Sequence, residues 1–321
     1  MKYFSRSIIA GVALSAMVGG GALAQSRAAQ RDANERIVGG EEAEIGDAPW
    51  AVRLNITRDG SKFICGASLV APERTANGSV VWRSNVSGAR WAITAAHCVD
   101  NTDGTGFVDA EDIKAISGRL DLADPDTGEV REVIAVMGHP DFDRDNLSND
   151  LALLVLSEAT VDLHTVRRAS IRLPDTQDTN WLGRPYLALM AQGWGRVGEV
   201  MPPVAKLRQV RVPRVDHDTC ASAYGLHGYS IEPGMICAGF FSGGFDSCSG
   251  DSGGPSVLRP SNNVPLSLNL QNPVLVGAVS WGKGCARQDL YGIYTSIAFF
   301  RSWLDAKVEE CLAEDSFADC N

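Results

Sequence analysis

The stretch Asp246-Ser-Cys-Ser-Gly-Asp-Ser-Gly-Gly-Pro255, "DSCSGDSGGP", brings three serines, two aspartates and three glycines into ten residues. Its part from Gly250 to Gly254 fits the G-x-S-x-G pattern of a strand–turn–helix nucleophile elbow, with Ser252 as the serine. That fold requires the chain order serine, acid, histidine. All five histidines precede Ser252, so the chain order excludes the nucleophile-elbow fold. They are His97, His139, His164, His217 and His227.

The reverse order, histidine, aspartate, serine, selects His97 and Asp150 as partners of Ser252. His97 ends the apolar run "WAITAAHC", whereas His139 lies in a turn and the other three histidines lie in polar segments. Asp150 leads directly into the apolar strand "LALLVL". A carboxylate at the edge of a core needs a hydrogen-bonded partner, and in a serine–histidine–aspartate triad it orients the imidazole.

The first 24 residues predict a secretory signal peptide. A basic start with Lys2 and Arg6 precedes an apolar run from Ile8 to Val18, and Ala22-Leu23-Ala24 is a small-x-small cleavage site. The apolar run is shorter than the roughly 20 residues that span a bilayer. We therefore expect export to an extracellular or periplasmic location, without a membrane anchor.

The charge and the cysteines narrow the class of protein further. The formal net charge of −10 argues against nucleic acid or an anionic membrane as a partner. The eight cysteines contain no C-x-x-C pair, which favours four disulfides in an exported chain over a zinc site. Eight cysteines allow 105 pairings. No cofactor and no metal are predicted.

Short apolar or alternating runs bounded by Gly, Pro, Asn and Asp predict β-strands along the whole body. Their spacing favours antiparallel barrels or sandwiches. A set of apolar residues from Ile297 to Leu312 recurs at helical spacing and predicts a C-terminal amphipathic helix. The predicted strands are "WAVRLNI", "KFICGASLV", "VVWRS", "RWAITAA", "LALLVL", "YLALMAQGWG", "VLVGAVSW" and "GIYTSI".

Six motifs in this chain order resemble the trypsin/chymotrypsin family of serine proteases. They are "IVGG" at 37–40, "TAAHC" at 94–98, "NDLALL" at 149–154, "GWG" at 193–195, "GDSGGP" at 250–255 and "SWGKGC" at 280–285. The resemblance implies an all-β fold of two antiparallel six-stranded β-barrels, with the active site between them and a C-terminal α-helix. It implies a propeptide at 25–36, a protease domain at 37–310 and a tail at 311–321.

The resemblance also implies the chemical roles. Ser252 is the nucleophile, His97 the general base and Asp150 the orienting acid, and the N–H groups of Gly250 and Ser252 form the oxyanion hole. Cleavage after Arg36, by an activating protease or by the enzyme itself, frees the α-amino group of Ile37. In the family this group pairs with the acid before the nucleophile, here Asp251, so the precursor is a zymogen.

Asp246 stands where the family has the floor of its primary specificity pocket. An acid there selects Arg or Lys before the scissile bond. The implied partners are protein or peptide substrates with these residues, together with protein inhibitors, and the chain is expected to be a monomer. The other implied pocket residues are Ser247, Ser280, Trp281, Gly282 and Gly292.

Family-like disulfides are Cys65–Cys98, Cys220–Cys237 and Cys248–Cys285, which leaves Cys311 and Cys320 to pair with each other. The stretch 71–90 is longer than usual and is expected to form an extended hairpin on the substrate side. Arg119 stands where the calcium loop of vertebrate trypsins begins with an acid, so calcium binding is not expected.

Two alternatives to an Arg/Lys-specific protease remain at this stage. One is a non-catalytic binding protein on the same fold, which Ser252→Ala would distinguish. The other is a protease that prefers aromatic or small residues, which depends on Asp246.

Overall fold

The computed structural model describes residues 38–101, 103–159, 168–175, 178, 184, 187–259, 272–314 and 316–320. The predicted signal peptide, the propeptide, Arg36 and Ile37 lie outside these residues. Strands dominate the described part, and no helix within it has both the length and the apolar composition to cross a membrane.

The N-terminal half forms a closed antiparallel barrel of six strands in the order β2-β6-β7-β8-β5-β3, with β3 returning to β2. A further strand, β4, extends β3 as a hairpin. Strand β8 is buried along its whole length, which matches its continuous apolar sequence. The strands of this half are β1 Glu41–Glu42, β2 Ala51–Arg58, β3 Ser61–Arg74, β4 Val80–Arg83, β5 Trp91–Thr94, β6 Ile113–Ser117, β7 Glu129–Gly138 and β8 Ala152–Leu156.

The C-terminal half forms a second barrel in the order β9-β10-β11-β14-β13-β12, closed by pairing of β12 with β9, and β1 of the N-terminal segment adds to β10. The predicted all-β, two-barrel fold is confirmed. The strands of this half are β9 Ala188–Gly193, β10 Arg208–Val215, β11 Met235–Ala238, β12 Pro255–Leu258, β13 Val274–Trp281 and β14 Gly292–Ser296.

Three α-helices accompany the barrels in the described part: α1 Ala96–Val99, α2 His217–Gly225 and α3 Arg301–Cys311. The last of these is the predicted C-terminal helix. It begins after Phe300 rather than near Ile297, because the backbone at Phe300 is not helical, and it buries Leu304 and Val308.

All four expected disulfides are present, Cys65–Cys98, Cys220–Cys237, Cys248–Cys285 and Cys311–Cys320. The last one closes the tail after α3. Within that tail, the ring of Phe317 lies edge-on to Trp91 of β5 at 5.7 Å between centroids, and the Arg90 guanidinium lies 4.8 Å from the Phe317 ring. The tail is therefore docked on the N-terminal barrel.

The long stretch 71–90 does form a hairpin, in which β4 pairs with the end of β3. Its contacts lie with α3 rather than with the substrate side: Trp82 Nε1 donates to Asp305 Oδ1 at 2.6 Å, and Arg301 stacks over the Trp82 ring at 5.8 Å. The expectation of a substrate-side hairpin was wrong, because a tryptophan on β4 finds both apolar cover and a hydrogen-bond acceptor on the helix.

Removal of the tail disulfide should lower stability while leaving the barrels intact. The bridge closes a loop with a sequence separation of 9 residues, and loop-closure entropy for a loop of this size corresponds to about 2–3 kcal/mol. We expect Cys311→Ser with Cys320→Ser to reduce the free energy of unfolding by that amount in guanidinium chloride titrations, measured in a Ser252→Ala background to prevent proteolysis. An unchanged free energy of unfolding would contradict this stabilisation by the tail disulfide.

Candidate active site

His97 is presented by a single helical turn at the end of a buried strand. All four residues of β5 are buried, and Thr94 at its end donates from Oγ1 to Gly66 O at 2.8 Å. The next residues form α1, where the disulfide from Cys98 to Cys65 ties the turn to β3. The strand, the hydrogen bond and the disulfide together fix the backbone of His97, whose side chain is 22% exposed.

The His97 ring is bonded to Asp150. Nδ1 lies 2.8 Å from Asp150 Oδ2, and the His97 backbone N–H donates to Oδ1 at 2.8 Å. Ser280 Oγ also donates to Oδ2, and Thr295 Oγ1 donates to the Asp150 carbonyl at 2.8 Å. The carboxylate is thus bound on both oxygens and comes from the loop just before β8.

Asp150 is 1% exposed, yet its carboxyl favours the ionised form. Burial raises the pKa, but the charge of His97 and the hydrogen bonds from His97 and Ser280 outweigh burial and lower the pKa below its usual value. Asp150 can therefore stabilise a protonated His97 without taking up the proton. The role of Ser280 as a bond donor to Asp150 was missed, since 130 residues separate the two.

Ser252 lies in the loop between Cys248 and β12. Bonds from both barrels hold this loop in place. The disulfide Cys248–Cys285 anchors its start, and Gly66 of β3 donates its N–H to the Ser252 carbonyl at 2.7 Å. Gly250 has a φ of +96°, in the region that favours glycine. A Cβ there would lie 3.0 Å from Ile64 Cδ1, so this bend requires glycine.

Ser252 opens into a cavity of about 380 Å³ that contains every predicted pocket residue. This is large enough for a long side chain. Ser249 also lines the cavity and is exposed. The predicted residues that line it are Asp246, Ser247, Ser252, Ser280, Trp281, Gly282 and Gly292.

Asp246 contributes a buried carboxyl group to this cavity. Its Oδ2 accepts a hydrogen bond from Ala286 N at 3.0 Å, whereas Oδ1 is buried and has no hydrogen-bond partner among the described residues. Burial raises the pKa of Asp246 to about 7. A Cβ on Gly292 would lie 2.5 Å from Oδ1, so only glycine leaves room beside this oxygen. The free oxygen is suited to a cationic ligand.

Asp251, which directly precedes Ser252 in the serine loop, is buried, and backbone amides bind both of its carboxylate oxygens. Its Oδ1 accepts from Gly195 N at 2.7 Å and its Oδ2 from Cys248 N at 3.0 Å. Burial nevertheless raises the pKa of Asp251 to about 6, against the effect of these bonds and of the charge of Arg53. Two backbone amides therefore compensate its charge only in part.

The structure adds a rim contact that the sequence did not indicate. Glu199 accepts hydrogen bonds from Arg287 Nε at 2.6 Å and Nη2 at 2.9 Å, and also from Cys285 N at 3.1 Å. Glu199 and Arg287 both line the cavity, so this bidentate pair joins the loop after Gly195 to the pocket wall. Neither residue belongs to a motif, and they are 88 positions apart.

Of the other described histidines, His139 and His217 have structural surroundings and His227 is exposed. His139 is buried against the rings of Phe300 and Trp303, with centroids 5.3 and 5.0 Å away. His217 bonds through Nε2 to the Ile231 carbonyl at 3.0 Å. His164 lies outside the described residues.

The described residues that are grouped like metal ligands are already engaged in other bonds. The sulfurs of Cys65 and Cys98 lie near His97, but they form a disulfide and offer no thiolate. Arg119 donates to the carbonyls of Thr127 at 2.7 Å and Pro125 at 3.2 Å. A cationic side chain thus bonds the oxygens of the loop in which calcium was considered.

Comparison with known proteins identifies the family. The family model for Trypsin matches residues 37–304. Serine protease 56 of Homo sapiens and that of Mus musculus are each 34% identical to this chain over 280 residues, which cover 86% of this chain and 39% of the relative. The chain thus spans about two fifths of the length of these relatives. With two closed barrels and a family match over most of its length, the chain belongs to the trypsin family of serine proteases.

Proposed function

We propose that this protein is a secreted serine endopeptidase that hydrolyses peptide bonds after Arg or Lys. The observation that carries the proposal is the His97–Asp150 pair, which a hydrogen bond from Ser280 joins to a cavity that Ser252 also lines. In this cavity, Asp246 has a carboxylate oxygen without a hydrogen-bond partner among the described residues. The four disulfides suit an oxidising compartment, which agrees with residues 1–24 as a signal peptide.

In the proposed reaction, Ser252 Oγ attacks the carbonyl carbon while His97 Nε2 accepts its proton. Asp150 bonds the Nδ1 side of the ring, which leaves Nε2 as the acceptor and stabilises the imidazolium. His97 then protonates the leaving amine, and an acyl-enzyme forms on Ser252. A water molecule, deprotonated by His97, releases the acid product. The N–H groups of Gly250 and Ser252 stabilise the oxyanion.

Asp150→Asn should abolish most of the activity while the fold remains. The asparagine amide would fix the wrong His97 tautomer. The template enzyme of this family loses about 10⁴-fold in kcat on the equivalent change, and we expect a loss of that order with a chromogenic arginyl substrate.

Asp178→Asn is the matched control, because Asp178 is also buried but pairs with Arg172 outside the cleft. It should keep the wild-type kcat. Unchanged hydrolysis by Ser252→Ala would refute the triad. Absence of hydrolysis by the cleaved wild-type protein would favour the second candidate, a non-catalytic binding protein on the same fold.

The proposed specificity depends on the charge of Asp246. A substrate guanidinium or ammonium would pair with the free Oδ1, and Ser247, whose Oγ lies 3.3 Å from Tyr294 Oη, would add a hydrogen bond on the cavity wall. Gly282 and Gly292 leave room for a long side chain. Preferential cleavage after Phe would contradict this assignment.

The affinity for an aryl amidine should fall as the pH decreases. The raised pKa of Asp246, about 7, means that the carboxylate becomes neutral below that pH, and a cation binds only the ionised form. We expect the Kd of benzamidine to rise about tenfold per pH unit well below pH 7. Calorimetry on cleaved Ser252→Ala protein between pH 5 and 9 measures this.

Asp246→Asn serves as the control, with weak binding that does not change with pH. A Kd of the Asp246 protein that is constant from pH 5 to 9 would show that its charge does not determine binding.

We further propose that residues 25–36 are an activation propeptide and that cleavage of Arg36–Ile37 activates the enzyme. Val38, next to this bond, accepts a hydrogen bond at its carbonyl from Asp246 N at 3.3 Å. The segment thus reaches the loop that contains both Asp246 and Asp251. A new ammonium at Ile37 would compensate the buried Asp251.

Active protein should begin at Ile37, and Arg36→Gln should keep the chain in a form with much lower activity. N-terminal sequencing and kcat/KM of both forms test this. Full activity of the uncut Arg36→Gln protein would contradict activation by cleavage.

A further inference from the structure

Arg53 is a buried cation that the proposed reaction does not use. It lies within β2 and is 8% exposed, and its Nε and Nη1 have no hydrogen-bond partner within the described part of the chain. Burial lowers the pKa of its guanidinium. A buried guanidinium without hydrogen bonds is costly unless an anion lies nearby.

The strand register directs Arg53 towards the serine loop. Arg53 is paired with Gly66 on β3, and directly opposite residues of an antiparallel pair project from the same face. On that face, a Cβ at Gly66 would lie 2.7 Å from Gly254 Cα and 3.5 Å from the Asp251 carbonyl oxygen. Because Gly66 has no side chain, the arginine and the loop face each other.

The anion on this side is Asp251, which is 1% exposed. The charge of Arg53 lowers the pKa of Asp251, and the charge of Asp251 raises the pKa of Arg53, each against the effect of burial. Two backbone amides bind the Asp251 oxygens. Arg53 thus contributes a charge from the N-terminal barrel to a loop of the C-terminal barrel.

We propose that Arg53 is a positioning residue that supplies Asp251 with a resident positive charge before the chain is cut. It acts through Asp251 on the loop from Cys248 to Gly254. This inference rests on the proposed function, because it concerns the state in which the α-amino group of Ile37 is still in a peptide bond. In that state the charge of Arg53 keeps the loop in its active geometry in part of the population. After cleavage, the Ile37 ammonium also compensates the charge of Asp251.

The test compares the uncut and the cleaved protein. Uncut protein carries Arg36→Gln, and the probe is a fluorophosphonate that reacts with an activated serine. We expect Arg53→Met to lower the second-order labelling rate of Ser252 about tenfold in the uncut form and less than about threefold in the cleaved form. Arg53→Lys, which retains the charge, should restore most of the rate.

Arg131→Met is the matched control. Arg131 is also a buried arginine of the N-terminal barrel, but its Nη1 donates to the Ala89 carbonyl at 2.7 Å and its Nε to the Ser157 carbonyl at 2.9 Å. Loss of this side chain should change the labelling of both forms by the same factor. In an uncut Asp251→Asn background, Arg53→Met should cause no additional loss.

Equal loss in both forms would reduce Arg53 to a structural role, and faster labelling of uncut Arg53→Met would show that Arg53 opposes the active geometry. Either result overturns the proposal. If Arg53→Met does not fold, Arg53→Gln undergoes the same comparison with the same criteria. Failure of cleaved wild-type protein to be labelled would instead count against the proposed function.

Discussion

The burial of three carboxylates in one region is the constraint on which the rest of the site depends. Asp150, Asp246 and Asp251 are each at most 5% exposed, and an ionised carboxylate away from water is costly unless it is compensated. The compensation differs in kind. Asp150 has a histidine and a serine, Asp251 has two backbone amides and the charge of Arg53, and Asp246 has an amide on one oxygen only.

The different extent to which the three carboxylates are compensated accounts for the three roles that we propose. A fully bonded carboxylate, Asp150, keeps its charge and orients its partner. A partly bonded one, Asp251, gains from an added cation and so responds to cleavage of the chain. An acid with a free oxygen in an open cavity, Asp246, binds a cation from a substrate. The disulfides Cys65–Cys98 and Cys248–Cys285 tie down the turns that carry these groups.

The sequence predicted those elements that have a local pattern or motif. Each of the eight apolar runs expected to be strands overlaps a strand of the structure. Of the motif residues, His97 and Asp150 lie within hydrogen-bond distance, with 2.8 Å between Nδ1 and Oδ2. Strand β10, "RQVRVPRV", was not among the predicted strands because three arginines and a proline obscure its pattern. In β7, Arg131 is buried because backbone carbonyls of neighbouring segments receive its N–H groups, which no local pattern reveals.

Contacts between segments that are far apart in the chain could not be predicted either, because no local pattern of the sequence reveals them. Arg53 lies in the predicted strand "WAVRLNI", where alternation alone would put a charged side chain outside; only closure of the barrel and the missing side chain at Gly66 place it inside. The bonds from Ser280 to Asp150 and from Arg287 to Glu199 also join segments far apart in the chain. Their partners become neighbours only once both barrels have formed.

The charges of Asp246 and Asp251 also interact with each other, which couples the specificity pocket to the serine loop. The charge of Asp251 contributes to the raised pKa of Asp246, although burial is the larger cause. A cation beside Asp251 therefore offsets that charge and lowers the pKa of Asp246. In the proposed activation, the ammonium of Ile37 then does more than order the serine loop: it increases the ionised fraction of Asp246 near neutral pH. Because such coupling is reciprocal, a cation bound at Asp246 favours the ionised form of Asp251, and with it the pairing of that carboxylate with Ile37 and Arg53.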